Sequence, residues 1–316
     1  MIKYFKSITK ILWLGERKFM GEKLKKIHIA QKMISNNSHL FKCPVCGNKM
    51  GIFDSPRLVC INKHSFDLSR QGYINMLLKA NKTKYDKDML ESRNFISKSG
   101  FFDPMLREIG SFILKQESSS NSRHGFILDA GCGEGSHLWR ILTDIEKKSH
   151  IRFLGVGIDI SKEGISNAAR DYVNIIWCVA DLANLPFNDK QFNVVLNILS
   201  PASYTEFSRI LKDSGILIKV VPGRNYLIQL RNIFYDRTDK KSYSNEQVIH
   251  LFTQNFNMIE HKMCSYNVAL DEISLRHLLN MTPLTWNVEK EKLEKAIEMG
   301  IREVTADFHI IIGKKF

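Results

Sequence analysis

Glycines stand at every second position in the run Ile127-Leu128-Asp129-Ala130-Gly131-Cys132-Gly133-Glu134-Gly135. An apolar stretch that ends in an acid and then in alternating glycines predicts a buried strand, a tight loop and a helix behind it. Glycine lets such a loop pass close under a ligand, where a Cβ would collide. The helix N-terminus beyond offers unpaired N–H groups to an anionic group. Thirty residues after Asp129, Val156-Gly157-Ile158-Asp159 predicts a second strand ending in an acid. That spacing suits a βαβ unit holding a ribose on the second acid. A third apolar run, Ile175-Ile176-Trp177-Cys178-Val179, is followed by Ala180-Asp181-Leu182.

The order Asp-x-Gly-x-Gly-x-Gly differs from the dinucleotide fingerprint and resembles motif I of the S-adenosylmethionine (SAM)-dependent methyltransferases. The resemblance implies that Asp129 and the loop Gly131, Gly133, Gly135 face the cofactor. It also implies that Asp159 binds the ribose hydroxyls and Asp181 contacts the adenine amine.

A chain of 316 residues with 44% hydrophobic and 10% aromatic residues has room for one large cored domain and a small one. Net charge is +13 and pI about 9.4, which suits a polyanionic partner. The excess is uneven. Residues 1–42 hold ten Lys/Arg against Glu16 and Glu22, or +8, so a basic arm carries more than half of it. No apolar run reaches the length of a bilayer span, and Ile11-Leu12-Trp13-Leu14 is too short for a signal-peptide core. A cytoplasmic protein with no membrane partner is expected. Gly15-Glu16-Arg17 can be encoded by a purine-rich ribosome-binding sequence just ahead of Met20. Translation is therefore expected to start at Met20, with residues 1–19 an artefact of start assignment.

Cys43-x2-Cys46 and Cys60-x3-His64 lie thirteen residues apart. Two paired sets of soft donors suit tetrahedral Zn²⁺, and three thiolates with one imidazole leave no open coordination position. Gly47 permits the turn that aims backbone N–H groups at the sulfurs. A hairpin between the pairs makes this a zinc ribbon, too small to bury a core of its own, so the metal should supply most of its folding energy. Lys42, Lys49, Arg57, Lys63 and Arg70 surround it with Phe53, Phe66 and Tyr73. These groups suit either phosphates and unstacked bases or a solvated basic face over a small aromatic core.

The expected organisation is a basic arm over 1–40, a zinc ribbon over 41–79, a linker and helices over 80–122, and an α/β domain over 123–316. Lys82–Lys87 and Ser118–Ser122 read as linkers, Asp88–Ser99 and Met105–Leu114 as helices, and Gly100-Phe101-Phe102-Asp103-Pro104 as a break with two exposed aromatics. Strands are expected at Phe126–Asp129, Phe153–Asp159, Ile175–Val179, Phe192–Leu196, Gly215–Val221, Met258–Tyr266 and Phe308–Ile312. Most are apolar throughout, as in a parallel sheet covered on both faces. The fold class is α/β: a class I SAM-methyltransferase, Rossmann-like, with a mostly parallel seven-stranded sheet behind an N-terminal ribbon.

A C-x2-C/C-x3-H ribbon ahead of this fold resembles the bacterial 23S rRNA guanine-N1 methyltransferases, which modify a hairpin loop in domain II. The likeness runs from about Phe41 to Phe316 through Phe66–Leu78, Gly100–Pro104, Leu279-Asn280-Met281-Thr282-Pro283-Leu284-Thr285-Trp286 and Asp307-Phe308-His309-Ile310. It implies structural zinc on Cys43, Cys46, Cys60 and His64. It implies SAM contacts at the Gly131–Gly135 loop, His137, Leu138 and Asp159, and further ones at Phe102 and Tyr226. A 23S rRNA hairpin partner, a homodimer and macrolide resistance also follow from the resemblance, while the basic arm departs from the family pattern. Competing readings are a small-molecule methyltransferase with a structural ribbon and a non-catalytic RNA-binding relic.

The SAM sulfonium already activates the methyl, so the protein has mainly to hold nucleophile and methyl in line. Guanine N1 must lose its proton. The acceptor is left between side chains of the Asn197–Ser200 loop, with Asn197 and Ser200 as candidates, and a water. The guanine has to be turned out of its hairpin. Tyr204, Phe234, Tyr235 and Trp286 are either stacking platforms or ordinary core. Arg224 and Arg231 could hold phosphates, although a solvated helix face would equally explain Arg231.

Overall fold

Seven of the predicted apolar runs form strands of one sheet. They are β7 (His124–Ala130), β8 (Arg152–Asp159), β9 (Ile176–Val179), β10 (Phe192–Ile198), β11 (Leu211–Pro222), β12 (Asn257–Ala269) and β13 (Glu303–Lys314). The computed structural model describes residues 25–52, 56–79, 87–117, 124–235 and 243–316, together with the two-residue strands β1 (Lys18–Phe19) and β2 (Glu22–Lys23). Met20 and residues 1–17, on which the start-site expectation turns, lie outside the described residues, as do Phe53 and the linkers at 82–86 and 118–122.

The strand order is β12-β13-β11-β10-β7-β8-β9-β6, with β13 antiparallel to both its neighbours and the other pairings parallel. The eighth strand is β6 (Tyr73–Asn75). It comes from the end of the segment assigned to the ribbon and extends the expected seven-stranded sheet at its β9 edge. Its signal is only three residues long, too short for periodicity to reveal.

Both faces of the sheet are covered, which explains the unbroken apolar strands. One face packs under α2 (Lys87–Lys98), α3 (Asp103–Glu117), α4 (Ser136–Lys148), α5 (Lys162–Asp171), α7 (Ile228–Tyr235), α9 (Glu272–Met281) and α10 (Lys290–Glu298). The other is covered by α1 (Lys26–Asn36), the ribbon, α6 (Tyr204–Ile210) and α8 (Glu246–Asn255). Of the span expected as a basic arm, residues 26–40 are built into the domain. Ala30, Ile34 and Leu40 are buried in the same core as Val156, Ile176 and Phe187.

The ribbon's sheet is β3 (Met50–Ile52), β4 (Arg57–Cys60) and β5 (Ser65–Asp67), all antiparallel. It is fastened to the domain by Phe41, which bridges to Phe187, and by Asn188, whose Nδ2 donates to the Phe41 carbonyl at 3.0 Å. Leu58 and Cys60 join the domain's core, so ribbon and sheet share one apolar interior.

Phe101 and Phe102 were expected to be exposed at the break before α3; the structure buries both, at 1% and 2% exposure. Phe102 packs edge-on against His137 at 4.7 Å between ring centres. The turn that carries them dips into the sheet's core rather than out to water.

Candidate active site

The glycine loop leaves the C-terminal end of β7 and turns into α4. Gly131 and Cys132 both donate backbone N–H groups to the Ile158 carbonyl at 2.9 Å, which ties the loop to the end of β8. Gly131 has φ +87° and Gly135 φ +84°, a region L side chains rarely enter. Space forbids a side chain as well. A Cβ on Gly135 would come to 2.4 Å from the Trp177 ring, and one on Gly131 to 1.9 Å from the Ser200 Oγ.

Asp159, at the end of β8, braces this loop. Its Oδ2 accepts from the Gly133 N–H and its Oδ1 from the Ser161 N–H, both at 2.8 Å. Asp181 lies exposed past β9 and accepts from the Ala183 N–H at 2.9 Å. The first acid, Asp129, is only 1% exposed, and its Oδ1 has no hydrogen-bond partner among the described residues. Burial, with Asp159 and Glu134 nearby, pushes its carboxyl up to about 7, against the pull of Arg93. His137 is equally enclosed, its Nε2 also unpartnered among the described residues. Burial foremost, and Arg93, push its pKa down to about 3, so the ring is neutral. Leu138 is wholly buried in the core.

Arg93 is the residue that sequence reading missed. It sits mid-way along α2, with its guanidinium over the loop, where a Cβ on Gly133 would meet Cζ at 3.2 Å. Its charge reaches Asp129, Glu134 and His137. Only a helix-register argument toward a site nearly forty positions downstream could have singled it out, and that register is not legible locally.

A cavity of about 590 Å³ opens beside the loop. Arg93, Phe102 and Tyr226 are among its lining residues, as are Ser200, Tyr204, Lys219 and Trp286. Phe102 and Tyr226 thus share one wall, each packed on Phe308. Asn197 is completely buried. Its Nδ2 donates to the carbonyls of Ala130 (2.8 Å) and Pro201 (2.9 Å), and its Oδ1 accepts from Lys219 Nζ (2.5 Å). Its side chain is therefore spent inside the sheet, as a brace and not a proton acceptor. Ser200 lies at the cavity wall.

Arg231, read as a phosphate or surface residue, is 3% exposed and donates to the carbonyls of Arg224 and Tyr226. It shapes the Tyr226 loop from within, while Arg224 remains exposed. Phe234 is buried in the core. Tyr235 is half-buried and donates to the Leu284 carbonyl at 2.7 Å. Of the four aromatic candidates, Tyr204 and Trp286 face the cavity, and Trp286 is 41% exposed.

At the other end of the molecule, Cys43, Cys46, Cys60 and His64 bring one ligand atom each within 4.8 Å of one another. Cys46 and Cys60 sulfurs are 3.7 Å apart, and His64 Nδ1 is 3.5 Å from the sulfurs of Cys43 and Cys60. A tetrahedron with metal–sulfur bonds of ~2.3 Å has edges of ~3.8 Å, so the set fits zinc. The Asn48 backbone and side-chain N–H groups hold the Cys46 thiol down at about 6, toward the thiolate a metal requires. The glycine loop, the buried unpartnered Asp129 and His137 atoms and the overhanging Arg93 likewise fit a zwitterionic, cationic donor such as SAM.

The comparisons with known proteins agree. A zinc-ribbon model described as RlmA, N-terminal, matches residues 41–83, and one described as a methyltransferase domain matches residues 127–215. YxjB of Bacillus subtilis, classed with the 23S rRNA (guanine-N(1)-)-methyltransferases, is 41% identical over 279 residues, which is 87% of this chain and 97% of YxjB.

The chain belongs to the 23S rRNA (guanine-N1-)-methyltransferase family.

A second member of the family, the 23S rRNA (guanine(748)-N(1))-methyltransferase of Streptomyces fradiae, is 28% identical over 280 residues, 86% of this chain and 96% of its own. The family's class I SAM-methyltransferase fold and zinc ribbon are those described above. SAM and a structural zinc are its cofactors. Among the described residues no helix is long and apolar enough to cross a membrane.

Proposed function

We propose that this protein transfers the SAM methyl group to N1 of a guanine in a domain II hairpin loop of 23S rRNA, in the cytoplasm. The carrying observation is the joint between Gly131 and Ser200. There the glycine loop meets a residue of the cavity wall, which supports a reading with the donor on one side and the acceptor on the other. In this reading the Gly131–Gly135 loop holds the methionine end of SAM, and Arg93 pairs with its carboxylate. Asp159 and Asp181 receive the ribose and the adenine amine. Trp286, exposed on the cavity wall, is where a base turned out of the hairpin stacks.

The ribbon grips the RNA away from the reacting base. Its support is a depression at the join of ribbon and domain lined by His39, Lys42, Lys49 and Gln191, with Asp189, which is paired to Arg209, as its one carboxylate among the described residues. Phosphates, which dominate RNA affinity, suit such a surface. The proposal includes a homodimer, for which the outer edge of β12, the last strand of the sheet, offers a ladder unpaired among the described residues.

The test is methylation of rRNA from a strain lacking this protein, with nucleoside mass spectrometry and reverse-transcriptase mapping. N1-methylguanine in a domain II loop is the expected product. Methylation confined to small molecules, or absent from rRNA, overturns the reading.

A further inference from the structure

Lys219 stands on β11 beside Asn197, its parallel-register partner on β10. It is 4% exposed, yet it lines the acceptor cavity. Its Nζ donates to the Asn197 Oδ1 at 2.5 Å and to the Ser200 carbonyl at 2.6 Å. Both partners are neutral, and no carboxylate pairs with Lys219 among the described residues. A buried ammonium without a counter-charge is costly. The neutral amine is not: it has two hydrogens and one lone pair. Asn197 and Ser200 take the two hydrogens, which leaves the lone pair as the one free valence of a side chain that lines the cavity.

The neighbours add no opposing charge. β10 presents the amide of Asn197, β13 presents Ile311 in register, and α8 presents Gln247 and Leu251. The titratable groups on the cavity wall are Arg93, Tyr204 and Tyr226. Burial alone pushes the Lys219 ammonium down to about 8.

We propose that Lys219 is the general base of the reaction, receiving the N1 proton of guanine as that nitrogen attacks the methyl carbon. This rests on the reading above, that guanine N1 in this cavity is the acceptor. The N1–H bond breaks and leaves its electron pair on the ring. The Nζ lone pair takes the proton and becomes an ammonium. The N1–carbon bond forms as the carbon–sulfur bond breaks, and that pair stays on sulfur as the neutral thioether of S-adenosylhomocysteine. One positive charge thus passes from sulfonium to Lys219, which returns its proton to water as product leaves. Asn197 is the positioning residue. Its amide ties Lys219 to the carbonyl of Ala130, the residue before the donor loop, so base and donor are held by one side chain.

The experiment is single-turnover methylation of 23S rRNA from about pH 6 to about pH 10 by the zinc-loaded full chain, Lys219→Met and Lys219→Arg, with SAM affinity measured by calorimetry. The native rate should rise about tenfold per pH unit and level off near pH 8. Lys219→Met should lose about 10²–10⁴ in rate, and its rate should go on rising past that plateau, while SAM affinity stays within about threefold. Lys219→Arg keeps a donor and a charge but cannot give up a proton, so it should be as slow as Lys219→Met. A bracing role predicts instead that Lys219→Arg restores activity. A native rate independent of pH, an active Lys219→Arg, or Lys219→Met within about threefold of native, each overturns the proposal. If the native protein makes no N1-methylguanine at any pH, the functional reading itself has failed, an outcome distinct from normal activity in the variants.

Discussion

The Ser200 hydroxyl rests on the open face of Gly131, where a Cβ would come within 1.9 Å of its oxygen. The glycine loop and the Ser200 turn are therefore closely packed on each other. Ser200 follows Leu199, which itself holds φ +53°, a conformation costing ~1–3 kcal/mol in a non-glycine residue. The turn that brings Ser200 over the loop is thus held by its surroundings.

Gly131→Ala is expected to abolish SAM binding while the fold persists. The substitution meets both a positive φ and the Ser200 Cβ, 2.6 Å from the new methyl, which rotation of the hydroxyl cannot clear. The checks are calorimetry for SAM and far-UV circular dichroism. Native SAM affinity in the variant would show that the loop opens elsewhere.

Asp129 makes stability fall as pH rises. Its unfolded carboxyl ionises near the ordinary value of 3.8, whereas burial keeps it protonated in the native protein up to about 7. Between those two values the native state binds more protons than the unfolded chain, so unfolding becomes easier as pH climbs, and the loss levels off above about 7. Asp129→Asn removes the titration. Without SAM it should gain on the native protein across that window by up to ~4 kcal/mol. It should also bind SAM more weakly, by an order of magnitude or so, if the acid faces the donor. Urea midpoints at about pH 5 and about pH 8 test the first part; an identical pH dependence in both proteins would refute it.

Zinc removal should separate the two cofactors. Cys60→Ser takes one of four ligands, and the metal adds to the folding of the ribbon beyond the core it shares with the domain. Zinc content should drop from one per chain toward none, SAM affinity should stay within about threefold, and rRNA methylation should fall by at least about tenfold. Elemental analysis, calorimetry and the methylation assay read these out. Deleting residues 41–79 is a poorer test, because Phe41, Ile74 and Met76 are buried in the domain's core and Tyr73–Asn75 is an edge strand of its sheet.

Arg93→Ala should weaken SAM binding by about 10- to 100-fold, the value of a charge-assisted hydrogen bond. Arg93→Lys should recover only part of it, since an ammonium cannot pair bidentately. Unchanged affinity in Arg93→Ala would assign the guanidinium to the RNA instead.

Trp286→Ala should leave SAM affinity alone and raise the RNA concentration needed for half-maximal rate by about 5- to 100-fold, corresponding to loss of one stacked base. An effect on the maximal rate alone would argue against a stacking role.

The sequence by itself determined what depends on short-range pattern. The zinc ligands are two knuckles, each complete within five residues, and most of the seven expected strands are apolar runs. Motif I was legible because its glycines are demanded by backbone geometry, which neighbouring residues announce. Only the tertiary structure decided what depends on distant chain segments meeting. The strand Tyr73–Asn75 forms because β9 offers it an edge. Phe102 is buried where β13 brings Phe308 against it, and Phe101 packs edge-on against Phe102. Arg231 turns inward because two loop carbonyls need donors. Arg93 and Lys219 reach the site from a helix and a strand with no motif around them. A lysine in an apolar run such as Gly215–Val221 gives no local sign of whether it ends in water or in a cavity, because that is settled by which residues close over it.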